Sequence, residues 1–195
     1  KDVVFGRAYQ MVMEKDAENF VPGISSFDDY SRWQYSYTFG VGEVCPDGLA
    51  TEVSEEIFHL TKEEKERIEE NIVQNVTSLA DEYPDVDFCY FFPPYSIAWW
   101  SSLSRGGIIY RQLEAEQYII ELILEHDNIH LYSFNNRTDI TTDLNHYKDD
   151  THYGQWINSM ILKWICNGEY LLTRENYLDY LEEEGSFYTT FDYTS

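Results

Sequence analysis

Apolar residues recur at every third or fourth position in three long segments of the chain. These segments are 61–83, 111–125 and 155–166, and the spacing predicts amphipathic helices. Thr61 and Glu64 stand at the spacing of a capping box, which places the start of the first helix at Thr61. We therefore expect three substantial helices in the C-terminal two-thirds of the chain.

Two other apolar segments lack the helical period and have the length of strands. Residues 86–92 form a continuous β-prone stretch that Pro93 and Pro94 stop, and residues 130–134 form a second stretch of this kind. Helix, strand, helix, strand and helix thus follow one another along the chain. This order is typical of parallel strands joined by right-handed crossovers, and it predicts an α/β layered domain.

The pattern divides the chain into three parts. Residues 1–60 are predicted to form an N-terminal helix and an irregular, aromatic-rich lid or insertion, because glycine and proline interrupt them repeatedly. Residues 61–185 are predicted to form the α/β core, whose last helix starts at Thr173. Residues 186–195, which follow Gly185, are expected to be a loosely held tail.

Composition limits the functions that fit the chain. Hydrophobic residues make up 43% and aromatic residues 17% of the 195 positions, which favours a folded core despite the charge. The formal net charge of −23 argues against binding to nucleic acid or to an anionic membrane, since both require clustered basic residues. The three cysteines match neither a disulfide framework nor a zinc motif, and we expect Cys89 and Cys166 to be buried.

An aspartate stands three residues before a histidine at two places in the polar loop that precedes the helix predicted over 155–166. The pairs are Asp149 with His152 and Asp143 with His146. At this spacing the carboxylate reaches one imidazole nitrogen and leaves the other free to take a proton, as in a Ser-His-Asp triad. We favour His152 because it leads directly into the helix. The alternative interpretation is structural, with Asp149 or its neighbours capping that helix.

Other candidate site residues lie next to this pair or after the first strand. Tyr95 and Ser96 follow the strand, Tyr153 follows the favoured histidine, and we expect these three side chains to contact substrate. Ser96 lacks the glycines of a nucleophile elbow, so we expect it to line a pocket or end the strand. Ser25 and Ser26 are weaker nucleophile candidates, because no buried strand precedes them. The loop is rich in aspartate and histidine but matches no ligand spacing, so we predict neither a metal nor a cofactor.

The C-terminal third of the chain resembles the SGNH (GDSL-like) hydrolase superfamily. The residues that carry the resemblance are DDTHYG at 149–154, IN at 157–158, GEYLLT at 168–173 and ENY at 175–177. The sequence FFPPYS at 91–96 is similar to the same proteins. The likeness is to bacterial cell-surface members related to teichoic-acid D-alanine transfer and polysaccharide O-acetylation.

The resemblance implies a flavodoxin-like three-layer sandwich with a mainly parallel sheet. It also implies that His152 is the general base and that Asp149 orients it. The activity implied is that of an esterase or O-acyltransferase acting on acylated cell-envelope polysaccharide, on the extracellular side of a bacterial membrane. The family's nucleophilic serine lies in a Gly-Asp-Ser-like turn that this sequence lacks. We therefore expect the C-terminal part of such an enzyme, incomplete at its N-terminus and inactive alone, whose exposed sheet edge favours self-association.

The alternative is a non-catalytic surface module that binds carbohydrate or protein. On this hypothesis the aromatic rings of 19–58 and 95–100 stack on sugars, and acidic side chains bind the hydroxyl groups. Such a module has no need of a carboxylate that orients an imidazole. A direct contact between Asp149 and His152 would therefore favour the enzyme.

Overall fold

The computed structural model describes residues 37–49 and 52–193. Its helices, in chain order, are α1 (Val41–Val44), α2 (Lys62–Ile72), α3 (Ser78–Glu82), α4 (Ile97–Arg105), α5 (Ile109–Ile123), α6 (Thr138–Thr141), α7 (Gln155–Asn167) and α8 (Tyr177–Thr190). A π-helical turn, Val73–Thr77, joins α2 to α3, and a 3-10 turn, Leu144–His146, follows α6. The strands are β1 (Phe88–Phe92) and β2 (Ile129–Ser133).

The three helices predicted from apolar spacing are confirmed. Helix α2 begins with the predicted capping box, in which the Thr61 side chain accepts from the Glu64 backbone amide and the Glu64 carboxylate accepts from the Thr61 amide. Helix α4 was not predicted. Its two tryptophans and three serines obscure the helical period, and the signal that starts it is Ser96, whose side chain accepts from the Trp99 amide.

The two predicted strands are also confirmed, and they pair in parallel. The register runs from Phe88 opposite Ile129 to Phe92 opposite Ser133. The described chain is therefore mixed α/β, with one sheet of two strands. The finer prediction of a three-layer sandwich with a larger parallel sheet is not established by these two strands. On its other side β2 meets Leu171 in a single antiparallel bridge, whereas no described segment pairs with the outer edge of β1.

Buried side chains form two apolar clusters, one on each side of this small sheet. The first surrounds Trp100, Phe134 and Tyr147, and the second surrounds Ile120 and Leu131. Cys89 and Cys166 belong to neither cluster and are exposed, so their predicted burial is wrong. The reason for Cys89 is that every second residue of β1 lies on a face that the described chain covers only partly.

Residues 186–193 pack on the core through Tyr188 and Tyr193, so the prediction of a loosely held tail is wrong for them. Helix α8 runs through Gly185 to Thr190, and Tyr188 is fully buried. The Tyr188 ring stacks on the Trp100 indole at 3.8 Å between centroids. Its hydroxyl donates to the Asn135 carbonyl at 2.7 Å, and Tyr193 donates in turn to the Tyr188 carbonyl at 2.9 Å. Aromatic packing holds this segment in the core although few of its apolar residues recur at helical intervals.

The predicted N-terminal helix and about half of the predicted lid lie outside the described residues, as do Ser25 and Ser26. The described remainder packs against the core. The Phe58 amide donates to the Gly107 carbonyl at 2.8 Å, and Gly107 has a left-handed φ of 69°. A Cβ atom at Gly107 would lie 2.1 Å from the Glu56 carbonyl oxygen, so only glycine permits this approach. Among the described helices, none combines the length and apolar character that a membrane crossing requires.

Replacing Tyr188 with phenylalanine is expected to destabilise the protein by about 1–3 kcal/mol. Phenylalanine keeps the stacking on Trp100 but leaves the buried Asn135 carbonyl without its donor. The measurement is urea unfolding, with Tyr110→Phe as the matched control, since the Tyr110 side chain is 42% exposed. Equal midpoints for the two variants would contradict the assignment of the C-terminal segment to the core.

Candidate functional site

The loop that carries the predicted Asp-His pair is a narrow turn held by main-chain hydrogen bonds. We call residues 146–154 the site loop. Tyr147 and Tyr153 form an antiparallel bridge across it. The Lys148 amide donates to the His152 carbonyl at 3.0 Å, and the Gly154 amide donates to the His146 carbonyl at 2.8 Å. The backbone around the histidine is thus fixed before any side chain is considered.

Within this turn, Asp149 contacts His152 directly, as predicted. The His152 Nδ1 atom lies 2.9 Å from both carboxylate oxygens of Asp149. The same carboxylate accepts from the backbone amides of His152 at 2.7 Å and Thr151 at 3.0 Å. Partial burial opposes ionisation of Asp149, but these donors outweigh it and lower its pKa to about 2. Asp149 is therefore a carboxylate at every physiological pH.

The structural alternative, in which Asp149 or a neighbour caps α7, is wrong. The residue before α7 is Gly154, and no side chain caps that end. Glycine at position 154 instead leaves room for the Trp156 ring. A Cβ atom there would lie 2.3 Å from the Trp156 ring, which folds back over the glycine. The carboxylate of Asp149 instead closes the turn and holds the imidazole.

In the second Asp-x-x-His pair, the aspartate faces Nε2 of the histidine instead of Nδ1. The Trp156 indole N–H donates to His146 Nδ1 at 3.1 Å, so a neutral His146 carries its proton on Nε2. That Nε2 faces Asp143 at 3.7 Å. Both ring nitrogens of His146 are thus engaged, and its side chain is only 29% exposed. A shared sequence spacing therefore gives one candidate base and one structural histidine.

His152 has the arrangement that a general base needs. With Nδ1 donating to Asp149, its neutral form carries the proton on Nδ1 and presents a lone pair at Nε2. In the part of the chain that the structure describes, Nε2 has no hydrogen-bond partner. The side chain is 57% exposed. A reacting hydroxyl group can therefore approach Nε2 and donate its proton to it.

His152 lines an open cleft of about 310 Å³ at the carboxyl end of β1. The lining residues are Pro93, Tyr95, Thr151, His152, Tyr153 and Asn158. Tyr95 packs on Trp99 at 4.7 Å between ring centroids, and Tyr153 packs edge-on against Tyr147 at 6.3 Å. Burial raises the pKa of Tyr153 to about 12, so its hydroxyl stays a neutral donor. The predicted contacts Tyr95 and Tyr153 thus come together with the histidine.

Asn158 is a polar cleft residue that was not predicted as a site residue. It lies in the first turn of α7, beside the fully buried Ile157. Within the described ranges its side-chain amide makes no hydrogen bond, so it can donate to a ligand. The signal available in the sequence was its place in the IN pair at 157–158, which carries part of the resemblance and follows the histidine closely.

Ser96 does not reach the cleft, so the prediction that it contacts substrate is wrong. Its side chain is fully buried. The hydroxyl donates to the Asp150 carbonyl at 2.6 Å and accepts from the Trp99 amide at 3.3 Å. Ser96 therefore caps α4 and ties it to the site loop. No serine of the described segments lines the cleft.

A larger groove of about 520 Å³ lies between α2 and α5, away from this chemistry. Its floor is apolar, with Ile68, Ile72 and Ile119 among its residues. The Arg111 guanidinium at its rim is paired with the Glu64 carboxylate. We place the candidate site at the smaller cleft because only that cleft contains an oriented imidazole.

Within the described ranges, no group of three or more His, Cys, Asp or Glu side chains is arranged to hold a metal ion.

Comparisons with protein-family models, curated proteins and solved structures found no match. The case for this site therefore rests on its geometry.

Substituting Ser96 with alanine is expected to lower the free energy of unfolding by about 1–3 kcal/mol, because the Trp99 amide at the start of α4 loses its cap and the Asp150 carbonyl keeps only the backbone amide of residue 96 as a donor. The control is Ser102→Ala in the same helix, where an exposed hydroxyl donates only to the Ala98 carbonyl of the preceding turn. Chemical denaturation of both variants gives the comparison. A Ser96→Ala variant as stable as Ser102→Ala would contradict the structural role of this serine.

Proposed function

We propose that this chain is the C-terminal portion of an SGNH-like serine esterase or O-acyltransferase, in which His152 is the general base and Asp149 orients it. The observation that carries the proposal is the contact of both Asp149 oxygens with His152 Nδ1 at 2.9 Å, which leaves Nε2 free at the cleft. Binding alone does not require this arrangement, whereas proton transfer does.

In the proposed reaction a serine hydroxyl attacks the carbonyl carbon of an ester. His152 Nε2 takes the hydroxyl proton and later returns a proton to the leaving alcohol. Asp149 stays ionised throughout, since its pKa is about 2, and stabilises the imidazolium that forms. The Asn158 amide and the Tyr153 hydroxyl supply neutral donors on the cleft wall.

The nucleophilic serine, on this proposal, comes from chain outside the described residues. The outer edge of β1 is the place for it. Because the Phe88 amide donates to Asn128 and the Phe92 carbonyl accepts from Phe134, the alternate residues Cys89 and Phe91 direct their main-chain groups to the unpaired edge. A parallel strand added there would end beside Pro93, at the cleft.

That added strand would also complete the larger parallel sheet of a three-layer sandwich. Until the edge is covered, it favours pairing with a second copy of the chain. Both expectations follow from the same main-chain groups of β1, which no described segment pairs.

The proposed substrate is an ester on cell-envelope polysaccharide, at the extracellular side of a bacterial membrane. This part of the proposal is supported by the resemblance of the site loop and by the cleft itself. Two tyrosine rings and the Asn158 amide offer stacking and hydrogen bonds to a sugar. The net charge of −23 disfavours polyanions such as nucleic acid.

A second candidate function is binding of carbohydrate or protein without catalysis. The observation that favours it is that no described serine lies in the cleft, while Tyr95 and Tyr153 form its walls. The two candidates differ in what they require of His152. A binding module would tolerate the loss of His152, because none of its serines depends on this histidine for reactivity.

The test is labelling with a fluorophosphonate, which modifies only an activated serine. We expect no adduct by intact mass on the 195-residue chain, and one adduct on a protein extended by the sequence encoded upstream. His152→Ala should slow labelling of the extended protein by roughly 10⁴-fold, since triad members act together. His146→Ala is the matched control and should label at the rate of the unmodified protein.

The outcomes separate the alternatives. An adduct on the 195-residue chain that depends on His152 would keep the base and refute the upstream nucleophile. Absence of any adduct on the extended protein would refute the esterase and leave the binding module.

A further inference from the structure

Two glutamate side chains lie inside the core, on helices that pack together. Glu116 of α5 is 1% exposed, and Glu184 of α8 is 0% exposed. Moving a carboxylate out of water is costly unless a cation or several donors replace the water. The way in which this core satisfies the two carboxyl groups therefore needs a physical account.

Cations do not satisfy them. None of the salt bridges in the described chain involves Glu116 or Glu184. The neighbouring groups are neutral and come from α8 and from the end of β2. They are the phenols Tyr180 and Tyr188, the hydroxyl of Ser133 and the amide of Asn135. The two phenols are the titratable ones, and burial raises the pKa of both.

Few donors are available either. The Asn135 amide donates to the two Glu116 oxygens at 3.3 and 3.2 Å. The Tyr180 hydroxyl is shared with Ser133 Oγ at 2.5 Å, and the Tyr188 hydroxyl is committed to the Asn135 carbonyl. Both Glu184 oxygens are buried near the Asn135 amide and the Tyr180 hydroxyl, but among the described residues neither oxygen has a donor with hydrogen-bond geometry.

The two carboxyl groups nevertheless lie close enough to interact with each other. Two carboxylates offer only acceptors, so they repel each other and cannot form a hydrogen bond. A proton on one of them converts the contact into an O–H···O⁻ bond, which is among the stronger hydrogen bonds of proteins. It also halves the buried charge. The buried carboxylate oxygens thus lack a donor, and a shared proton supplies one.

We propose that Glu116 and Glu184 form a proton-binding site in the core, holding one proton between them as a hydrogen-bonded acid–carboxylate pair at neutral pH. The ligand of this site is a proton rather than a metal ion. The orientation of Asn135 supports this choice, because its N–H group, and not its oxygen, is directed at Glu116.

The proposal makes stability depend on pH with a defined sign. Burial raises the pKa of Glu116 from 4.5 to about 7, and burial together with the charge of Glu116 raises that of Glu184 well above 4.5. The folded protein therefore retains a proton that the unfolded chain releases above about pH 4.5. The stabilisation is complete below that pH, falls as the pH rises above it, and is lost once the pH has passed the raised pKa of both carboxyl groups.

The pair is connected to the candidate site through buried contacts. Asn135 touches Glu116 with its amide and Tyr188 with its carbonyl, and Tyr188 stacks on Trp100 of α4. Helix α4 begins at Ser96, which binds the site loop at Asp150. Loss of the shared proton would therefore loosen the part of the core that these contacts connect to the loop that holds His152.

The experiment compares Glu184→Gln and Glu116→Gln with the unmodified protein by urea unfolding from about pH 5 to about pH 8. Glutamine replaces the acidic hydroxyl with an N–H donor and does not titrate. The unfolding constant of the unmodified protein should rise relative to either variant by roughly tenfold per pH unit within this window. Glu182→Gln is the control, because Glu182 lies exposed on the same helix, and its ratio should stay flat.

Infrared spectroscopy of the unmodified protein, labelled with ¹³C-glutamate, keeps the test independent of whether the variants fold. A protonated-carboxyl C=O band at neutral pH that disappears at alkaline pH supports the pair. Absence of that band, or a flat ratio for both core variants, would overturn it. A rise in melting temperature with Ca²⁺, Mg²⁺ or K⁺ that the core variants lack would also overturn it, by assigning the site to a cation. None of these readouts depends on the proposed esterase activity.

Discussion

The hydrogen bond from the Tyr147 hydroxyl to the Pro94 carbonyl, 2.6 Å long and fully buried, fixes the arrangement on which the candidate site depends. It joins the site loop to the segment that leaves β1, although 53 residues separate the two in sequence. Burial raises the pKa of this phenol above its ordinary range, so the donor is present at any physiological pH. Without it, a carbonyl in the core would lack a partner at a cost of about 1–3 kcal/mol.

Around this contact, short-range contacts shape the site loop and long-range contacts position it. The backbone bridge between Tyr147 and Tyr153 shapes the turn, and Asp149 orients the imidazole within it. The position of that turn relative to β1 is set by Tyr147 and by Ser96, which binds Asp150 from the start of α4. A local motif therefore becomes a site only because two buried hydroxyls place it at the end of a strand.

The local features of this protein could be predicted from its sequence. Apolar spacing located α2, α5 and α7, the two β-prone stretches located β1 and β2, and the separation of Asp149 and His152 predicted their contact. Each of these rests on residues a few positions apart. The larger sheet of the predicted sandwich was not established, because strand partners are a long-range property that two apolar segments do not specify.

What could not be predicted depended on distant partners. Ser96 was expected to line a pocket or to end the strand, but its hydroxyl donates to a carbonyl 54 residues away. His146 and His152 have identical spacing to an aspartate, but the Trp156 indole donates to Nδ1 of His146, and it is the Nε2 atom of His146 that faces Asp143. The burial of Tyr188 followed from stacking on Trp100, which no periodicity in α8 indicates. In each case the deciding contact joins segments that are far apart or runs against the local pattern.

The central claim is that Asp149 holds His152 with Nε2 free for proton transfer, and ¹⁵N NMR of the neutral histidine side chains tests it most directly. The account predicts the Nδ1–H tautomer for His152 and the Nε2–H tautomer for His146 in the same spectrum. Asp149→Asn, which can keep the turn through its amide oxygen, should move His152 to the Nε2–H form. A His152 found in the Nε2–H form in the unmodified protein would contradict the account.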